Sequence, residues 1–234
     1  MMLSDDQREA VFETDVNDRN GIRDVVARWP NRTVVYHINE EDFDEKQLRA
    51  IEAALADIAN NSCVRFRKRE SEDERAVIIQ EGPGCSSNVG FKSSGQQVMQ
   101  LGRGCFKHGT IVHEMLHTLG FFHMQCTYNR DDYVTIVWEN IKPGREHNFK
   151  KYGKDVINDF DVPYDYDSVM HYPATAFSAH KEKTIIPIKE NVEIGQRVGL
   201  SEGDILKLNR MYCDETEDKE NEIEYDGDLL AIGK

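Results

Sequence analysis

The 234-residue sequence predicts an α+β protein. Two observations carry that expectation: short β-rich runs and amphipathic helical stretches follow one another without a regular βαβ alternation, and no internal repeat is present. A third bounds the class. At 39% hydrophobic residues the chain can bury a core, but it holds no apolar run near the roughly 20 residues of a membrane span, which excludes an integral membrane protein.

The elements follow in order along the chain. Thr33 to Ile38 (TVVYHI) reads as a strand after the Trp29-Pro30-Asn31 turn signal. Residues 45–59 place Leu48, Ile51, Leu55 and Ile58 at helical spacing, one apolar stripe on an amphipathic helix. Cys63 to Arg67 and Ala76 to Gln80 are short β-rich runs, Gly82-Pro83-Gly84 breaks the chain, and Gln96 to Leu101 is a further strand. Near the end Ser201 precedes an apolar pattern of Ile205, Leu208 and Tyr212, a capped helix.

Charge divides the chain into three parts. The formal net of −14 comprises −4 over residues 1–19, −7 over 214–234 and only −3 over the body between them. The acidic ends read as solvated tails with too few apolar groups to offset ordering entropy. An acidic balance also speaks against nucleic acid as a partner, because phosphate contacts need a basic surface.

Residues 113–123 carry the chemistry, reading His113-Glu114-Met115-Leu116-His117-Thr118-Leu119-Gly120-Phe121-Phe122-His123. On a helix His113 and His117 project from one face on consecutive turns and can converge on one metal ion. Glu114 leaves the helix about 100° around, where a base acting on water at the metal is needed. Gly120 can end the helix and let the reversed chain deliver His123 as third ligand. Three imidazoles with one position open is the pattern of a catalytic zinc site. A bare HExxH arises by chance in about one chain of this length in a hundred; the added Gly and third His bring chance to the order of 10⁻⁵. His37, His108, His147 and His180 have no such geometry and read as surface or core residues.

Five cysteines, Cys63, Cys85, Cys105, Cys126 and Cys213, include no CxxC pair, which argues against a zinc ribbon or a thioredoxin-type site. The odd count leaves one thiol without an intramolecular partner. The first residues lack the basic and apolar regions of a signal peptide, so the chain is either cytosolic or begins inside a longer precursor. The sequons at Asn31 and Asn60 favour the second option weakly.

The zinc motif, together with Ser168-Val169-Met170-His171-Tyr172, Gly84-Cys85-Ser86-Ser87 through Gly104-Cys105, Gly109-Thr110-Ile111, Leu200-Ser201-Glu202-Gly203-Asp204 and Asn209-Arg210-Met211-Tyr212-Cys213, resembles the astacin family of metzincin zinc endopeptidases over almost all of residues 20–213. The resemblance implies a two-lobed catalytic domain. Its N-terminal lobe would hold a twisted mixed sheet and helices, zinc would lie at the base of the cleft, and a largely irregular C-terminal lobe would end in a closing helix. It implies one Zn2+ per chain on His113, His117 and His123, Glu114 as general base and acid, Tyr172 as a displaceable ligand that stabilises the oxyanion, and Met170 as a hydrophobic floor. It pairs Cys63 with Cys213 and Cys85 with Cys105, leaving Cys126 as the odd thiol: a buried small residue, an intermolecular partner or a redox-sensitive group. Disulfides imply an oxidising compartment and hence a secreted protein.

Protein or peptide substrates would lie extended along Gln96 to Leu101 as the edge strand of the sheet. Arg197, in Ile194-Gly195-Gln196-Arg197, resembles an S1′ determinant favouring acidic P1′ residues. Residues 1–19 resemble a partial pro-segment released at Arg19-Asn20 by a trypsin-like protease, with Asp15 an ordinary linker residue; 214–234 form an acidic C-terminal tail. Met124 stands where the family has a Glu that receives the mature N-terminal amino group, so that terminus is expected to seat differently. A second reading, motivated by Met124 and Cys126, is a catalytically weak member acting as a protein-binding module.

Overall fold

The computed structural model describes residues 27–93 and 95–213. Strand β1 (Thr33–Ile38) buries alternate residues, as a half-covered strand must. Helix α1 (Glu45–Asn60) starts at a capping box, with the Asp44 carboxylate accepting from the Gln47 main chain and the Gln47 side chain answering the Asp44 N–H. Its buried face is Ile51, Ala54, Leu55 and Ile58, close to the stripe expected from spacing. Strands β2 (Arg65–Lys68), β3 (Val77–Gln80), β4 (Cys85–Ser87) and β5 (Gln97–Leu101) complete a five-stranded sheet of order β2-β1-β3-β5-β4. All its pairings are parallel except β4 with β5. The mixed sheet agrees with the α+β class. One βαβ unit, β1-α1-β2, is present within it, since β1 and β2 are parallel neighbours joined by α1, but it is not repeated as a regular alternation.

The sheet corrects one expectation outright. Gln96 to Leu101 is not an edge: β5 lies between β3 and β4, and β4 is the outer strand on that side, β2 on the other. The three β4 residues, Cys-Ser-Ser, give no β-rich pattern to read. What holds it is tertiary, namely its register Cys85↔Leu101 and the Cys85–Cys105 disulfide.

Helix α2 (His108–Thr118) packs on α1 and on the sheet. The second part of the chain carries a two-stranded antiparallel sheet of β6 (Val134–Ile136) and β7 (Ile185–Pro187) among short 3-10 turns, and ends in helix α3 (Glu202–Tyr212). Helix α3 opens on the Ser201/Asp204 capping box, and it buries Leu208, Met211 and Tyr212 while Ile205 stays half-exposed. Two larger apolar cores result, beside a small cluster of Cys126, Tyr152 and Ile157. One joins the sheet, α1, α2 and α3 and includes Met170; the other, around Val134, Ile136, Phe149 and Ile185, takes in Tyr172. No helix among the described residues is long and apolar enough to cross a membrane. The expected pro-segment, its Arg19-Asn20 cut, Asp15 and the acidic tail lie outside the described residues.

Candidate active site

Helix α2 supplies His113, Glu114 and His117, all on buried turns. Its start has no side-chain cap; instead His108 Nε2 meets Asp57 Oδ2 of α1 at 2.8 Å. Its close seating requires Gly109, where an added Cβ would lie 2.3 Å from the Arg197 carbonyl carbon. The other end stops at Gly120, whose φ of +107° suits glycine. There Gly120 N–H donates to His117 O and Phe121 N–H to Leu116 O, the paired bonds of a Schellman turn. The last carbonyls are also satisfied, Thr118 O by Trp29 Nε1 and Leu119 O by the Tyr212 hydroxyl. The reversal brings His123 back onto the two helical histidines.

Three imidazoles meet as a result. His123 Nε2 lies 3.2 Å from His113 Nε2 and 3.1 Å from His117 Nε2. On the two helical histidines the other nitrogen fixes the tautomer, because His113 Nδ1 faces Val169 O at 2.7 Å and His117 Nδ1 faces Phe121 O at 2.6 Å. A carbonyl only accepts, so those two Nδ1 atoms carry the protons and the Nε2 atoms of His113 and His117 present bare lone pairs to His123, whose own Nδ1 is buried without a hydrogen-bond partner. Burial keeps the set neutral: it lowers His113 to about 3 and holds His117 and His123 well below the ordinary imidazole value. The lone pairs of His113 and His117 converge on His123 Nε2, and a cation among the three nitrogens would satisfy them together. Bonds of about 2.0–2.1 Å to one tetrahedral zinc would separate the nitrogens by roughly 3.3 Å, so these residues fit that ion. They are also the group among the described residues able to hold a metal.

Glu114 is buried beside them, and its Oε2 has no hydrogen-bond partner. Burial raises its carboxyl to about 7, with Arg197 pulling the other way. Tyr172 stands over the third histidine, ring centroids 4.2 Å apart. Burial raises its phenol, which therefore keeps its proton and can donate. Met170 is buried in the core beneath α2, its carbonyl accepting from Met124 N–H.

The structure brings Arg197 to the same place in an unexpected posture. Its Nη1 donates to Val169 O at 3.0 Å and His171 O at 3.1 Å, so part of the guanidinium is committed to the Ser168–Tyr172 turn. Both disulfides form as the resemblance implied, Cys63–Cys213 and Cys85–Cys105. Cys126 is the free, buried cysteine, packed near Tyr152 and Ile157, and burial pushes its thiol up to about 12. It is the small core residue of the three alternatives, since reactivity needs an accessible thiolate. Met124 Sδ faces Lys207 Nζ of α3 at 3.4 Å; the seating of the mature N-terminus lies outside the described residues.

Sequence reasoning missed two supports of the site. His171 is fully buried between the Tyr164 hydroxyl at 2.7 Å from Nε2 and Tyr172 O at 2.8 Å from Nδ1. Asp204, legible only as a helix cap, reaches the same turn, accepting from Ser168 Oγ at 2.6 Å and Val169 N–H at 2.8 Å.

A helix-borne histidine pair, a third histidine after a glycine reversal, a buried glutamate and a methionine-bearing turn define a zinc metallopeptidase of the metzincin type. The profile of the Astacin peptidase family matches residues 21–213. Seminal metalloprotease 1 of Drosophila melanogaster is 43% identical over 206 residues, spanning 84% of this chain and 82% of that protein. Meprin A subunit beta of Homo sapiens is 39% identical over 209 residues, covering 86% of this chain but 29% of the relative. Among solved structures, high choriolytic enzyme 1, a hatching enzyme zinc-protease from Oryzias latipes, superposes with a TM-score of 0.72 at 38% identity over 79% of this chain and 92% of its own. The chain belongs to the astacin family of zinc metalloendopeptidases.

Proposed function

We propose that this protein is a secreted endopeptidase holding one Zn2+ on His113, His117 and His123, with Glu114 and Tyr172 as its catalytic residues. The observation that supports this reading most is the convergence of three neutral Nε2 atoms beside a buried carboxylate oxygen without a partner. Zinc, when bound, lowers the pKa of water toward about 7 and polarises a carbonyl. Glu114, one residue beyond the first ligand and outside the ligand set, takes the proton of the attacking water and later hands it to the leaving amine. The Tyr172 hydroxyl donates to the oxygen of the scissile carbonyl as charge develops there, a stabilisation made only in the transition state.

An extended substrate would add to the sheet along β4, the outer strand beside β5, which is linked to α2 through Ser87 Oγ and Thr118 Oγ1 at 2.7 Å. Main-chain pairing of this kind is largely indifferent to sequence. Secretion is supported by the two disulfides, which persist in oxidising compartments. A trypsin-like cut at Arg19-Asn20 remains the maturation step we propose.

The test is cleavage of a denatured protein substrate. It is expected to cease on treatment with a zinc chelator and return on adding Zn2+ back; cleavage that persists in metal-free protein would sink the assignment.

For the residue after the scissile bond, Arg197 supplies a positive field close to Glu114 and Tyr172. We expect peptides with Asp at P1′ to be cleaved several-fold faster than their Asn counterparts. Arg197→Ala should remove that ratio, and an unchanged Asp/Asn ratio in the variant would show that the preference arises elsewhere.

A further inference from the structure

We propose that Asp204 and Arg197 form a two-sided clamp on Val169 that sets the orientation and donor strength of His113 toward the metal. The inference rests on the zinc site proposed above. Val169 is held through both of its main-chain groups. Its N–H donates to Asp204 Oδ2 at 2.8 Å, and its carbonyl accepts from Arg197 Nη1 at 3.0 Å and from His113 Nδ1 at 2.7 Å. The neighbours on either side are gripped by the same two residues. Ser168 Oγ donates to Asp204 Oδ1 at 2.6 Å while accepting from Met170 N–H at 3.1 Å, and His171 O accepts a second bond from Arg197.

An anion on the N–H side and a cation on the carbonyl side act differently on the turn. The carboxylate fixes the turn's main chain, and the guanidinium fixes the place of the Val169 carbonyl that must meet the imidazole N–H. A carbonyl held in line with Nδ1–H fixes the histidine tautomer and increases the basicity of its Nε2, the usual work of a group behind a metal ligand. Both arms are themselves anchored. Asp204 is nearly fully buried at the start of α3, and the Arg197 main chain rests on Gly109 at the start of α2. Asp204 and Arg197 are therefore positioning residues, distinct from the catalytic pair.

The test uses the full chain and separates positioning from stability. Asp204→Asn replaces an acceptor with a donor facing Val169 N–H or Ser168 Oγ, and Arg197→Met removes the donors while keeping much of the length. Ser201→Ala is the control: it deletes the other half of the helix cap, the 3.0 Å bond from Asp204 N–H, together with the 2.6 Å bond that Ser201 Oγ donates to Asp165 Oδ2, and it removes no contact to Val169. Zinc affinity is measured by chelator competition, and the visible absorption of the Co2+-substituted protein reports ligand orientation.

Asp204→Asn and Arg197→Met are each expected to weaken zinc binding about 10- to 100-fold and to shift the cobalt bands. Ser201→Ala should lower the melting temperature and leave both readouts at wild-type values. The clamp is refuted if the first two variants bind and absorb like wild type, or if Ser201→Ala disturbs the metal as much as they do. Failure of the wild-type protein to take up stoichiometric zinc would instead overturn the zinc site itself, and the clamp with it.

Discussion

Glu114→Ala is expected to retain one zinc per chain and to cleave protein substrates about 10³- to 10⁴-fold more slowly than wild type, the upper range for loss of a positioned general base. Glu114 contributes no atom to the histidine triad, so metal content should be untouched. Nor is the carboxylate a structural anchor. It is 4% exposed, and its Oε2 pairs with nothing, an arrangement that costs stability. Glu114→Gln, which preserves the shape, should therefore melt at or above the wild-type temperature while losing activity to a similar degree. That opposition, activity down and stability level or up, is what marks a group kept for chemistry. Activity in Glu114→Gln above a tenth of wild type would remove Glu114 from the proton-transfer role.

Replacing Cys63 and Cys213 together by Ser should give the largest stability loss of any pair in the chain. The bridge spans 150 residues of sequence. Chain entropy for a loop of that size amounts to roughly 5 kcal/mol, and removal of native disulfides costs about 2–5 kcal/mol in practice. A domain with about 5–15 kcal/mol of total stability is then brought to the margin of folding. The Cys85–Cys105 bridge, separated by 20 residues, should cost less, roughly 3 kcal/mol by the same relation.

The effect of the long bridge should also reach the metal. Helix α3, which it ties to the end of α1, carries Asp204 onto the Ser168–Tyr172 turn and the Tyr212 hydroxyl onto Leu119 O at the end of α2. Urea unfolding of the double variant, with and without zinc, measures both losses. A change under about 1 kcal/mol would contradict the argument.

How far these expectations were visible in the sequence depended on the range of the interactions. Helices α1 and α3 were readable because an apolar stripe and a capping pair are local, set by residues three and four apart. The histidine triad was readable for the same reason: Gly120 reverses the chain within three residues, so the third histidine lies close in sequence to the first two. Strand β4 was not. Cys-Ser-Ser has no β pattern, and its position at the sheet edge exists only because β5 and a disulfide hold it there. His171 likewise gave no signal of its own, since its partner Tyr164 is defined by a loop that must first fold.

The sequence by itself determined the family, the histidine triad and the glutamate beside it that we propose as ligands and base, and a body almost balanced in charge between acidic ends. These are matters of residue type at fixed short spacing, which the helix translates directly into geometry. Tertiary structure alone decided which strands are the edges, that Cys126 is buried, and that Arg197 and Asp204 meet on either side of Val169. Those residues stand 28 and 35 positions from Val169. No local period connects groups so far apart, and only the packing of α3 and the Arg197 segment against the turn brings them into contact.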